Sequence, residues 1–142
     1  RARVNAKIIP FQRIEQPILE MLSAVKAKGI KIGLISNCTE EEVVAWKTCT
    51  LVPFFDDVIF SYKIKQIKPN SEIYNIACSH LKVVPQESIF VGDGGSNELD
   101  GAANVGMEAY QAAWFTPPAI SNKIKGYQKL YEPKDVVQVI ST

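Results

Sequence analysis

Ser88-Ile89-Phe90-Val91-Gly92-Asp93-Gly94-Gly95-Ser96-Asn97-Glu98-Leu99-Asp100 decides how this chain is read. Its apolar run is short enough for a buried strand. An aspartate directly after it, then glycines and a polar helix start, presents one carboxylate at the carboxyl end of that strand. Open α/β sheets take their ligands at that edge. A lone carboxylate there suits a hard, oxygen-coordinated cation such as Mg²⁺, above all when a phosphate lies nearby.

Working outward, strands and helices alternate. Ile14, Ile18, Leu22 and Val25 recur at helical spacing, with Pro17 near the start and Gly29 after the end. Ile30–Ile35 is a branched run fit for a buried strand, and Ser36-Asn37-Cys38-Thr39 turns into a helix in which Thr39 and Glu42 form a capping-box pattern. Val58-Ile59-Phe60 reads as another strand. A lysine-bearing loop through Lys63, Lys65 and Lys68 leads to a helix from near Asn70 whose apolar face holds Ile73, Ile76, Ala77 and Leu81. After the Asp93 turn come a helix over about 98–104 and a strand at Glu108–Ala112, with Val136–Ile140 a short terminal strand or helix. Such alternation predicts an α/β fold, a parallel sheet of about 4–5 strands with helices on both faces. Residues 1–13 carry no clear periodicity and are expected to be a tail or an inter-domain connection, with 14–142 as the core domain.

The 142 residues suffice for one domain with a real core, and 46% hydrophobic with 22% charged residues is an ordinary globular balance. A net charge of +1 gives no reason to expect nucleic acid or a membrane surface as partner. No apolar run approaches the roughly 18 residues that span a bilayer. Cys38, Cys49 and Cys78 lack metal-type spacing, which favours a reduced, cytoplasmic chain over a disulfide scaffold.

Three segments fall at or just after the carboxyl ends of βα units: Ser36-Asn37, Lys68-Pro69, and Asp93 through Asn97. In a parallel sheet these ends open on one edge, so segments distant in sequence converge. The Ser36 hydroxyl and the amides near Asn37 can donate to phosphate oxygens at a helix start. Lys68 supplies a point charge for a transferring phosphoryl group. Asp93 can hold Mg²⁺, with Asn97 within reach directly or through water. Alone, Ser36 would read as a helix cap, Lys68 as solvated charge and Asn97 as a turn residue; their order along the chain favours the site. His80, on the apolar side of its helix, reads as a packed histidine, and Trp46 and Trp114 as packing residues.

This ordered set resembles the haloacid-dehalogenase-like hydrolase superfamily. The resemblance rests on Leu34-Ile35-Ser36-Asn37, Lys68-Pro69-Asn70, Val91-Gly92-Asp93-Gly94-Gly95-Ser96-Asn97-Glu98, and Phe54-Phe55-Asp56-Asp57-Val58-Ile59 as the approach to the third strand. It covers roughly residues 12–116. It implies a Rossmann-like three-layer core and a Mg²⁺-dependent phosphohydrolase of a small phosphorylated metabolite, working through an aspartyl-phosphate. Ser36, Asn37 and Lys68 would bind the phosphate, Ser36 and Lys68 serving catalysis, while Asp93 and Asn97 would hold the metal. Asn97 departs from the aspartate that many members carry.

A second departure is larger. Members place the nucleophile in an Asp-x-Asp motif closing the first strand, and no apolar strand here ends in Asp-x-Asp. Asp56-Asp57 precedes its strand and cannot substitute. In the family's sheet the nucleophile strand is central, between the strands ending at Ser36 and Asp93. The core is therefore expected to be incomplete, with a missing N-terminal segment or a partner chain completing the sheet, and the chain alone inactive. The alternative is a non-catalytic binding or regulatory module that kept the fold. A nucleotide or S-adenosylmethionine binder is disfavoured, because the glycine loop comes late and the next strand ends in Gln111-Ala112-Ala113 rather than an acidic residue.

Overall fold

The computed structural model describes residues 3–6, 16–36, 52–65, 67–114 and 117–140. Strands β1 (Arg3–Ala6), β2 (Ile32–Ser36), β3 (Asp57–Phe60), β4 (Ser88–Gly92), β5 (Glu108–Ala112) and β6 (Gln128–Leu130) form one sheet in the order β3-β2-β1-β4-β5-β6. Every neighbouring pair is parallel. Among the described residues the α-helices are α1 (Gln16–Ala27), α2 (Ser61–Ile64), α3 (Ser71–Leu81), α4 (Glu98–Asn104), α5 (Pro118–Ser121) and α6 (Lys134–Ile140).

Side-chain alternation in the strands divides the core into two layers. Ile32 and Leu34 of β2, with Ile89 and Val91 of β4, pack against Ile18, Leu22 and Val25 of α1 and Val136 of α6. Ile35 and Phe90 point the opposite way, to Ile73, Tyr74 and Ala77 of α3 and Leu99 and Ala102 of α4. Successive residues of a strand face opposite sides, so a strand covered on both faces must be apolar throughout. This is why β2 and β4 stand out in the sequence as unbroken apolar runs. The expected α/β, parallel, three-layer architecture is the one observed.

Two of the six strands, β1 and β6, are not among those the sequence indicates. β6 has only three residues, and β1, Arg3-Val4-Asn5-Ala6, has one strong strand former. Their pairing, not their own propensity, makes them strands. β1 also corrects the reading of residues 1–13 as a tail or connection: Arg3–Ala6 pairs with β2 on one side and β4 on the other. The central position expected to need a missing segment or a partner chain is thus filled by residues of this chain, and no aspartate is among them. Val136–Ile140, open to either reading, lies within helix α6.

From β1 the chain winds through β2 to β3 on one side, then returns to β4 on the other. The direction of winding reverses between β1 and β4, and the crevice outside the carboxyl ends of strands at such a reversal is the usual ligand position in open α/β sheets.

Candidate active site

Ser36 closes β2, Asp93 directly follows β4, and Lys68 lies in the loop between α2 and α3. One line of contacts connects these segments. Lys68 Nζ donates to Glu98 Oε1 at 2.6 Å and to the Ile35 carbonyl at 3.2 Å. Glu98 Oε2 accepts the Gly94 backbone N–H at 3.0 Å. The residue before Ser36 is thereby joined, through a lysine and a glutamate, to the residue after Asp93. Both charged side chains are 0% exposed, and the ammonium lies 5.7 Å from the centre of the Phe90 ring. Lys68 is therefore not solvated loop charge.

Local packing leaves Glu98 little freedom. A Cβ on Gly92 would stand 2.3 Å from Glu98 Oε2, so only glycine lets the strand end pass so close to the carboxylate. Tyr74 Oη donates to the Glu98 carbonyl at 2.7 Å. Burial, and then the Glu98 charge, push the Tyr74 phenol pKa above its ordinary value, which keeps it protonated as a donor.

Ser36 is 1% exposed, and its Oγ has no hydrogen-bond partner among the described residues. Leaving a buried hydroxyl unpaired costs about 1–3 kcal/mol. Asp93 is half-buried, with Oδ1 accepting the Gly95 N–H at 2.9 Å. Asn97, exposed with φ 55°, lines a groove of about 220 Å³ with Gly94, Asp100, Lys123, Lys125 and Tyr127. Asn37 lies outside the described residues, as do Thr39, Glu42, Trp46, Cys38 and Cys49. No group of three or more His, Cys, Asp or Glu side chains placed to hold a metal occurs among the described residues.

Two residues differ from the sequence reading. In the sequence Glu98 reads only as a helix start, yet it is the partner of Lys68. The available signal was electrostatic: a lysine that becomes buried needs a carboxylate, and its own loop offers only more lysines. His80 is not packed in the core; its side chain is half exposed, with Nδ1 2.9 Å from Asp57 Oδ2. It sits at the margin of the α3 face formed by Ile73, Tyr74, Ala77, Cys78 and Leu81, where a long polar side chain reaches out to β3. Cys78 is buried, as expected of a small hydrophobic side chain.

Residues 4–112 match the family model for haloacid dehalogenase-like hydrolases. The chain is 33% identical over 111 residues to bifunctional epoxide hydrolase 2 of Rattus norvegicus, covering 75% of this chain and 20% of that protein. It is 29% identical over 107 residues to a glyceraldehyde 3-phosphate phosphatase of Methanothermobacter thermautotrophicus, covering 73% of this chain and 45% of that one. Among solved structures, a HAD phosphatase from Thermococcus onnurineus shares the fold with a TM-score of 0.77 at 23% identity, over 90% of this chain and 58% of its own. The chain thus spans less than two thirds of the length of each of these relatives. With the family match covering most of the residues and the strand order, buried lysine and Gly-Asp turn in place, the chain belongs to the haloacid dehalogenase-like hydrolases.

Proposed function

We propose that this chain carries the phosphate- and metal-binding part of a Mg²⁺-dependent phosphohydrolase that acts on a small phosphorylated metabolite. The observation that carries the reading is the buried Lys68 ammonium at the end of β2, one residue from a buried Ser36 hydroxyl without a partner among the described residues. A hydroxyl and an ammonium at one strand end are donors for an anion. Ser36 and Asn37 bind phosphate oxygens, and Lys68 offsets the charge that develops on the transferring group. The glyceraldehyde 3-phosphate phosphatase among the relatives supports a phosphorylated metabolite as substrate.

The donors after β4 fit Mg²⁺, a hard cation that takes one or two carboxylates, keeps several waters and completes its shell with phosphate oxygens. Asp93 and Asn97 offer only oxygen donors and would hold it, and the ion would neutralise charge at the phosphoryl oxygens. Glu98 is committed to Lys68 and to the Gly94 N–H and is not assigned to the metal. The nucleophile of an aspartyl-phosphate route is not supplied by β1, whose residues are Arg3-Val4-Asn5-Ala6. The 142 residues alone therefore bind phosphate and Mg²⁺ without turning a substrate over. The reading of a reduced, cytoplasmic chain rests on the cysteine spacing, and Cys78 is a buried free thiol.

The test is hydrolysis of a panel of small phosphate esters with Mg²⁺ by the full-length protein that carries this chain, beside its Asp93→Asn variant. Hydrolysis that disappears with Asp93→Asn is expected. Absence of any Asp93-dependent phosphate release across the panel overturns the proposal.

A further inference from the structure

We infer that Gln111 is a positioning residue for Asp93, and that with Ile124 it clamps the turn that carries the carboxylate. This rests on the proposed role of Asp93 in holding Mg²⁺. Gln111 is the penultimate residue of β5, in register with Gly92 of β4. Its side chain is 0% exposed, an unusual setting for a glutamine at a place an apolar side chain would fill.

The amide's contacts explain its presence. Gln111 Nε2 donates to the Ser121 carbonyl at 3.1 Å and faces the Asp93 carbonyl at 3.5 Å. Both neighbours are acceptors, so the orientation of the amide is fixed: turned over, its oxygen would face two oxygens. Oε1 in turn has no hydrogen-bond partner among the described residues, a cost an apolar side chain would not carry. The glutamine is thus retained for what its NH₂ group joins, the turn after β4 and the segment after β5.

That second segment then folds back over the first. Gly94 has φ +97°, and a Cβ built on it would stand 2.2 Å from Ile124 Cδ1. The turn is therefore gripped twice, at the Asp93 peptide by Gln111 and over Gly94 by Ile124. A carboxylate on a turn held at two successive residues keeps its direction. Its Oδ1 also accepts the Gly95 N–H, so release of the turn disturbs that bond too. Groups that orient a metal ligand commonly change metal affinity by about 10–100-fold.

The experiment titrates the full chain with Mg²⁺ alone by calorimetry and follows hydrogen exchange at the Gly95 amide by NMR. The variants are Gln111→Met, Ile124→Ala, Asp93→Asn and, as a control for general destabilisation, Val136→Ala in the opposite core layer. Gln111→Met and Ile124→Ala are expected to weaken Mg²⁺ binding about tenfold and to speed Gly95 exchange. Val136→Ala lowers the melting temperature without moving either quantity. If Gln111→Met does not fold, Ile124→Ala supplies both measurements. Mg²⁺ binding that is lost in Asp93→Asn but unchanged in Gln111→Met and Ile124→Ala overturns the clamp and leaves the metal reading standing. If the wild-type chain binds Mg²⁺ no better than Asp93→Asn, the metal reading falls instead. Gly95 exchange then decides the clamp: faster exchange in the variants supports it, and unchanged exchange overturns it.

Discussion

Replacing Lys68 by methionine tests the electrostatic core of the site. The ammonium and the Glu98 carboxylate are 2.6 Å apart, with both side chains fully buried. At an effective dielectric constant of about 20 their attraction is roughly 6 kcal/mol. Against it stands the loss of hydration, several kcal/mol for each ion even after the protein relaxes. The intact pair is therefore close to neutral for folding, and a broken pair is not. Lys68→Met keeps the volume but leaves the Glu98 charge buried without its counter-charge, and the expected loss is about 3–5 kcal/mol.

Urea unfolding followed by circular dichroism, with linear extrapolation, measures this directly. The double variant Lys68→Met/Glu98→Leu removes both charges and is expected within about 2 kcal/mol of the wild type, because an apolar pair of similar volume substitutes well for a buried ion pair. Lys26 and Asp56 supply the control, a pair at 2.8 Å whose side chains are 34% and 35% exposed. Lys26→Met is expected to cost no more than about 1 kcal/mol. Burial, not distance, separates the two cases. If Lys68→Met costs as little as Lys26→Met, or if the double variant loses the sum of its two single losses, the reasoning is wrong.

Three further outcomes follow from packing and charge. Gly92→Ala drives a methyl group into the Glu98 carboxylate and the Phe90 ring, at 2.3 Å and 2.9 Å, and is expected to cost about 1–3 kcal/mol in urea unfolding. Burial alone would raise the Asp56 pKa, but the Lys26 hydrogen bonds, the Ile32 N–H and the charges of Lys26 and Lys31 outweigh it and leave the pKa below 3.8. A carboxylate depressed in the folded state stabilises above its unfolded pKa and loses that contribution as pH falls through the folded one. Asp56→Asn is therefore expected to flatten the acid limb of melting temperature against pH below about 4. Tyr127 donates to Asp100, and that bond first, then burial and the Asp100 charge, raise its pKa from 10.0 to about 12. Its contribution is fully present below pH 10 and disappears as pH rises through about 12, so Tyr127→Phe is expected to weaken the alkaline loss of stability in the same measurement.

How much of the molecule was legible follows from what holds each element. β2, β4 and the apolar part of β3 were readable because two helical layers bury them and force apolar residues at nearly every position. β1 and β6 owe their extended form to neighbours that the local sequence does not disclose. The α6 residues Val136, Val137, Val139 and Ile140 form an apolar cluster that suits either periodicity, and only contact with α1 resolves it. The meeting of the Ser36, Lys68 and Asp93 segments was legible because strand ends in a parallel sheet share one edge. Glu98 and Gln111 were not, since each acts through a partner 30 or 18 residues away.

The central strand bears most on function. The winding reverses between β1 and β4, and the strand beside the reversal is Arg3–Ala6, with no aspartate to attack phosphorus. The Ser36, Lys68 and Asp93 segments are joined to one another by described contacts: Lys68 bonds Ile35 and Glu98, and Glu98 bonds Gly94. In the proposed function, binding of the anion is assigned to these segments and attack on it to a carboxylate that β1 does not supply. On that reading, supplying the attacking carboxylate is expected to change the outcome from capture to turnover.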